Sequence, residues 1–196
     1  GIYSATQVVV YDDVKGAIAA RLWWLLRWLG NEPVAVLNGG LTAWLRAGLP
    51  MTDELPRVHA KRFESRPDNA RWVDTRFLEE HLGADAYRLI DARSAVRFRG
   101  EQEPFDPVAG HIPGALNRPL DRNFGPDGKF LPAAQLRAEF QDLARGKGAA
   151  DLVHMCGSGV TACHNLLAME VAGLGEGRLY VGSWSEWITH RTRPVA

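Results

Sequence analysis

Residues 151–163 read Asp-Leu-Val-His-Met-Cys-Gly-Ser-Gly-Val-Thr-Ala-Cys. An apolar run delivers Cys156 into a turn of small residues, and a helix is expected to open at Thr161. A thiol so placed meets backbone N–H groups at a helix start, where partial positive charge favours thiolate over thiol. The thiolate is the nucleophilic form, so this is the layout of a cysteine nucleophile. Gly157 and Gly159 supply the backbone freedom to curl, so that N–H groups between Cys156 and Thr161, Val160 included, can aim at one point. Ser158 adds a hydroxyl that can donate to a substrate oxygen or to the sulfur. Thr161 is expected to cap or open the helix, with its hydroxyl near the thiolate as a secondary role. Cys163, seven residues on, falls inside the helix and reads as a packed core thiol rather than a resolving cysteine.

An anionic substrate at such a loop needs a fork-shaped donor. Arg97 and, less well placed, Arg99 flank Phe98 on a short segment at the same end of the expected sheet. Asp91 and Arg93 read as a structural acid and base that pair locally. His111 reads as a turn-fixing hydrogen-bond partner and His154 as core. No Cys/His spacing resembles a zinc site and no glycine loop resembles a nucleotide site, so neither metal nor cofactor is expected.

The elements that must hold these residues alternate. Asp74 is expected to cap a helix running to His81. Tyr87–Asp91 reads as a strand, Ser94–Phe98 as a short helix, His111–Asn117 as a turn opening a strand, and Pro132–Arg145 as an amphipathic helix. Leu152–Met155 and Arg178–Val181 are further strands around a helix at Thr161–Ala172. This alternation predicts a parallel α/β sheet with helices on both faces. Ligands of such sheets bind beyond the carboxyl ends of the strands, where Cys156 falls.

The front of the chain repeats the back. Val8–Asp13 is a strand and turn followed by a helix at Ala17–Leu29, then the apolar run Val34–Leu37, Asn38-Gly39-Gly40 and a helix bearing Trp44. Trp44 lies 32 positions after Asp12, and Trp187 lies 31 after Cys156. Two copies imply duplicated domains rather than a solenoid. Eleven residues precede Asp12, against about eighty of apparent structure between Val73 and Cys156, so the first copy is expected to lack its front part. The expected organisation is an incomplete inactive domain at 1–50, a linker at 51–72 and a catalytic domain at 73–196. The 23 basic and 23 acidic side chains balance, which gives no reason to expect nucleic acid or a membrane surface as partner. The apolar helix at Ala17–Leu29 carries Arg21 and Arg27 and is too polar to span a bilayer. Two cysteines are too few for a disulfide framework and suit a reducing, cytoplasmic setting.

The string Cys156-Gly-Ser-Gly-Val-Thr-Ala-Cys163 resembles the active loop of tandem rhodanese-family sulfurtransferases, the mercaptopyruvate branch in particular. Gly110–Ala115, Asp91-Ala-Arg93, Asn38-Gly39-Gly40 and Gly182-Ser183 through Trp187 match further motifs of that family, in order along the chain. The resemblance implies two rhodanese-like domains, each a parallel five-stranded sheet flanked by helices, with the first truncated and Asp12 standing where the second has Cys156. It implies that the Cys156 thiolate takes the outer sulfur of 3-mercaptopyruvate or thiosulfate as a persulfide held by loop N–H groups. That sulfur then passes to cyanide or a thiol, thioredoxin among the thiols. Arg97 matches the arginine that grips the donor, and Ser158 the serine proposed to assist. Glu103-Pro104-Phe105-Asp106 stands where mercaptopyruvate enzymes usually carry a second arginine, and Gly157-Ser158 where thiosulfate enzymes often carry basic residues.

Two rival readings meet specific residues. A cysteine phosphatase needs an arginine six positions after its nucleophile, and Ala162 occupies that place. A non-catalytic, protein-binding rhodanese-like module usually replaces the cysteine, as Asp12 does in the first copy, whereas Cys156 keeps its full loop.

Overall fold

The computed structural model describes residues 1–196. Residues 1–50 form a strand–helix–strand–helix unit: β1 (Val8–Val10), α1 (Ala19–Trp28), β2 (Val34–Val36) and α2 (Gly40–Arg46). β1 and β2 pair in parallel, with Val9 opposite Ala35. The rest contains β3 (Trp72–Val73), α3 (Thr75–His81), β4 (Arg88–Asp91), α4 (Ala95–Phe98), β5 (Leu116–Asn117) and α5 (Ala133–Ala144). It continues through β6 (Leu152–Met155), α6 (Ala162–Val171), β7 (Arg178–Tyr180) and α7 (Ser183–Trp187). These strands form one five-stranded sheet in the order β3-β7-β6-β4-β5, parallel throughout.

The expected α/β layering follows from β6, which sits mid-sheet with all four residues buried. Its side chains alternate between faces, as a pleated strand requires. Val153 and Met155 join Leu89, Tyr180, Trp184 and Trp187 on the α3/α7 side. Leu152 joins Ile90, Phe140 and Met169 under α5 and α6. α6 is buried from Ala162 to Met169 because it is covered on several sides. The sheet and α5 cover part of it, and α1 covers another part by placing Ala20, Trp23 and Trp24 against Cys163, Leu166 and Leu167. No helix is long and apolar enough to cross a membrane.

Helix ends coincide with the expected bounds, as at His81 and Phe98, or fall one or two residues inside them, and Asp74 caps α3 by accepting from the Phe77 N–H at 2.9 Å. Between α2 and β3 the chain has no regular structure until a 3-10 turn at Asn69–Arg71. It is nevertheless tied down: the Arg66 and Asp68 N–H groups donate to the Leu29 and Trp28 carbonyls, each at 2.9 Å.

Candidate active site

Cys156 leaves the C-terminal end of the central strand β6 and is 2% exposed. Its backbone is fixed from α7. The Cys156 N–H donates to Ser183 Oγ at 3.1 Å, and the Trp184 N–H donates to the Cys156 carbonyl at 3.1 Å. Ser183 takes a left-handed conformation, φ +53°, and its hydroxyl donates to the Tyr180 carbonyl at 3.0 Å. Next along the loop, the Gly157 carbonyl accepts from the Ser185 N–H at 2.8 Å. Ser185 Oγ lies 2.7 Å from that carbonyl and 2.8 Å from Asp106 Oδ1.

Gly159 is required as glycine. Its φ is +74°, and a Cβ there would lie 2.5 Å from the Val181 carbonyl oxygen. That left-handed turn reverses the chain between Cys156 and α6. The N–H groups of Gly157, Ser158, Gly159, Val160 and Thr161 have no protein acceptor. A row of free donors at a helix start is a cradle for negative charge.

Thr161 stands at the opening of α6, as one half of the expectation had it, but does not cap the helix. It makes no side-chain capping bond and already has helical φ −73°, ψ −16°. Its hydroxyl therefore lacks the extended-backbone geometry with which an N-cap side chain reaches back to the first turn. Ser158 is exposed at the loop's outer edge. Cys163 is fully buried, and burial pushes its thiol up to about 12, against which the neighbouring Arg21 acts only weakly. A thiol held protonated in the core fits the structural role expected of it.

Arg97 sits beside the loop. Its Nη1 and Nη2 lie 3.6 and 3.5 Å from where a Cβ on Gly157 would be. Glu103 grips the guanidinium through Nε, at 3.1 Å to each oxygen, and through Nη2 at 2.6 Å. Asp106 Oδ2 adds a contact to Nη2 at 3.3 Å, and Nη1 has no protein acceptor. Glu103 also accepts the Phe105 and Asp106 N–H groups. Burial works to raise its carboxyl, but Arg97 and these N–H groups hold it below the usual carboxylate range. Phe105 lies over Arg97, 4.9 Å from guanidinium carbon to ring centroid.

Arg99 pairs with Glu101 at the surface, away from the loop. Asp91 and Arg93 form the expected local pair at 2.7 Å, both buried, and Arg93 also donates to the Gly110 carbonyl at 2.8 Å. His111 stacks on Phe98 and hydrogen-bonds its carbonyl at 2.8 Å, fixing the turn. His154 is fully buried among Phe140 and Met169.

The loop after β1 repeats this architecture with a different occupant. The Asp12 carbonyl accepts the Leu41 N–H at 2.9 Å, as the Cys156 carbonyl accepts that of Trp184. Gly40 and Ser183 share a left-handed backbone, φ +58° and +53°. There the Asp12 carboxylate fills the cradle itself, accepting from Val14, Gly16, Ile18 and Ala19 at 2.7–2.9 Å. Partial burial works to raise its carboxyl, but the four N–H groups together hold it below the usual range.

Sequence reasoning did not assign Glu103, Ser183 or Ser185 to the site. Ser183 carried a signal, since it stands in the Gly-containing motif matched to Gly40. Glu103 was visible only as a departure from an arginine.

Residues 3–47 and 74–190 match the Rhodanese-like domain family. The chain is 52% identical over 197 residues to a probable 3-mercaptopyruvate sulfurtransferase of Pseudomonas aeruginosa, spanning all of this chain and 69% of that protein. It is 39% identical over 203 residues to a putative thiosulfate sulfurtransferase, SseB, of Mycobacterium tuberculosis, covering 100% and 68%. It is 36% identical over 202 residues to the human 3-mercaptopyruvate sulfurtransferase, covering 99% and 66%. The wild-type EanB structure superposes with a TM-score of 0.86 at 23% identity, across all of this chain and 51% of that one, which is a likeness of fold. The chain thus spans about two thirds of its curated relatives and half of that structure.

Proposed function

The chain belongs to the rhodanese-like domain family, among its sulfurtransferases, and from that premise we propose that Cys156 carries sulfane sulfur between a small anionic donor and a thiol or cyanide. The Cys156 thiolate attacks the outer sulfur of the donor. With thiosulfate the S–S bond breaks and sulfite leaves with the bonding pair. With 3-mercaptopyruvate the C–S bond breaks, the pair leaves on carbon, and the pyruvate enolate takes a proton from water. Either route leaves a persulfide on Cys156. An acceptor thiolate, thioredoxin's included, or cyanide then attacks the outer sulfur and returns the Cys156 thiolate.

The observation that carries this reading is the contrast between the two loops. The N–H groups from Gly157 to Thr161, Gly159 and Val160 among them, follow Cys156 with no protein acceptor, while the matching groups near Asp12 are consumed by a carboxylate. Donors left open in this way stabilise the charge that develops on sulfur. Arg97, held from behind by Glu103, offers Nη1 to the anionic end of the donor. Ser158, at the exposed edge, hydrogen-bonds the donor. Gly157-Ser158 favours 3-mercaptopyruvate over thiosulfate, since neither residue is basic.

The same reading divides the chain into residues 1–50, the back part of a non-catalytic rhodanese-like domain; 51–72, a linker; and 73–196, the catalytic domain. Mass spectrometry of the protein after incubation with each donor tests the assignment. One added sulfur on the Cys156 peptide is expected. No adduct with either donor would replace the enzyme by a protein-binding module on the same scaffold.

A further inference from the structure

Arg21 belongs to α1, in the half of the chain that has no nucleophile, yet it reaches the Cys156 loop. Its Nη1 donates to the Gly159 carbonyl at 3.3 Å and lies 3.8 Å from Cys163 Sγ. Its guanidinium carbon lies 5.0 Å from the Trp24 ring centroid, which fixes its direction. The Cys163 thiol donates to the same Gly159 carbonyl at 3.5 Å. Two donors from the α1/α6 side thus hold one carbonyl oxygen of the cradle.

The Gly159–Val160 peptide is planar and trans, as every peptide bond here is. Its C=O and N–H therefore point in opposite directions. Fixing the oxygen toward α1 turns the Val160 N–H away from α1, and that N–H has no protein acceptor. Glycine at 159 makes this peptide free to rotate, because no side chain restrains it. A rotated peptide would aim a carbonyl oxygen at the sulfur and repel its negative charge. We propose that Arg21 is a positioning residue of the Cys156 loop: by holding the Gly159 carbonyl it keeps the Val160 N–H aimed at the thiolate and its persulfide. The charged or polar groups about this loop are Arg21 from α1, Cys163 from α6, Arg97 from α4, Glu103 and Asp106 from the 100–110 loop, and Ser183 and Ser185 from α7.

The proposal rests on the sulfurtransferase reading for its kinetic consequence, but alkylation of Cys156 tests it without any sulfur donor. Arg21→Met keeps an aliphatic stem against Trp24 and removes the donors. Its expected effects are an iodoacetamide alkylation profile of the Cys156 peptide displaced to higher pH, and a kcat for transfer about tenfold lower with little change in donor KM. Arg21→Lys keeps a cationic donor and should recover most of both. The Met-to-wild-type difference should persist in 1 M KCl, where the Debye length is about 3 Å. A Met variant with wild-type profile and kcat would reduce Arg21 to packing and overturn the proposal. A difference erased by salt would overturn it in favour of long-range charge, and a Lys variant as impaired as Met would also count against it. Should the wild-type protein form no persulfide, the sulfurtransferase reading falls, while the alkylation profiles still decide the role of Arg21.

Discussion

Glu103 holds Arg97 from behind, its Oε1 2.6 Å from Nη2 and its two oxygens equidistant from Nε. Glu103 is itself buried and also contacts Arg93 at 3.3 Å. The pair locks a long, flexible side chain with both terminal nitrogens beside Gly157 and one of them, Nη1, free of any protein acceptor. Arg97→Ala should therefore act mainly through binding, raising the donor KM about 10–100-fold, as expected for a charge-assisted hydrogen bond worth about 1.5–3 kcal/mol. Glu103→Gln, which leaves the arginine in place but loosened, should raise KM less. Steady-state kinetics with each donor reads both; an unchanged KM in Arg97→Ala removes it from the site.

The two cysteines should separate cleanly. Cys156→Ser should abolish sulfur transfer and persulfide formation with the melting temperature nearly unchanged. Cys163, buried with its thiol pushed up to about 12, should resist alkylation near neutral pH. Cys163→Ala should keep turnover within a few-fold while costing about 1 kcal/mol for the lost buried sulfur. Full activity in Cys156→Ser would sink the nucleophile assignment, and loss of the persulfide in Cys163→Ala would make the second thiol part of the chemistry.

Asp12 should govern acid stability of the front unit. Its carboxyl sits below the usual range in the folded protein. A group depressed on folding contributes stability above its unfolded pKa, about 3.9, and loses it as pH falls through the folded value. Asp12→Asn leaves N–H donors of the loop poorly matched and should cost about 1–2 kcal/mol at pH 7, the range of a lost helix cap. The difference in melting temperature between variant and wild type should shrink below about pH 4. A pH-independent difference would mean that the carboxylate's charge contributes nothing.

The strands and the layering were legible in the residues because apolar runs such as Leu152–Met155 and Val34–Leu37 are bounded by glycine and polar turns. The recurring strand–helix–strand–helix order of β1-α1-β2-α2 and β6-α6-β7-α7 was legible because a tryptophan recurs at nearly the same distance after Asp12 and Cys156. The position of Cys156 at the end of a strand was legible because the apolar run Leu152–Met155 stops there and small residues follow. What stayed hidden depends on contacts between distant positions. Arg21 meets Gly159 across 138 residues, and no local pattern marks that pairing. The Asp12 carboxylate closing its own loop needed the left-handed turn at Gly16, φ +88°. Thr161 opens α6 as its residue type suggested, but the missing capping bond follows from its helical backbone, which residue type does not reveal.

Gly159→Ala should show how narrowly the loop is specified. The left-handed backbone at φ +74° alone costs a non-glycine residue about 1–3 kcal/mol. The added Cβ would also press on the Val181 carbonyl, a backbone atom that cannot swing aside. The loop must then open, so both the melting temperature and transfer should fall. Wild-type kinetics in this variant would show that the turn geometry is dispensable.

The front unit is also latched to the rest by charge. Arg27 of α1 reaches Glu176 at 2.5 Å, Glu170 at 3.4 Å and Glu32 at 3.2 Å, while Arg71, just before β3, bonds Glu176 as well. Two arginines thus share one partly buried carboxylate, and that sharing distinguishes the cluster from an isolated surface pair worth under about 1 kcal/mol. Removing the shared partner leaves Arg27 to Glu32 and Glu170 and Arg71 to Glu32 and Asp68, the two cations then less fully compensated, so Glu176→Gln should destabilise by about 1–2 kcal/mol, between surface and fully buried pairs. Urea denaturation should show a lower midpoint with the slope unchanged, since the exposed area is the same. Added salt should narrow the gap to wild type by weakening the wild-type contacts and the variant's repulsion alike. A midpoint equal to wild type at low salt would mean that α1 is held to α6 by its apolar face alone, through Trp23, Trp24 and Leu166.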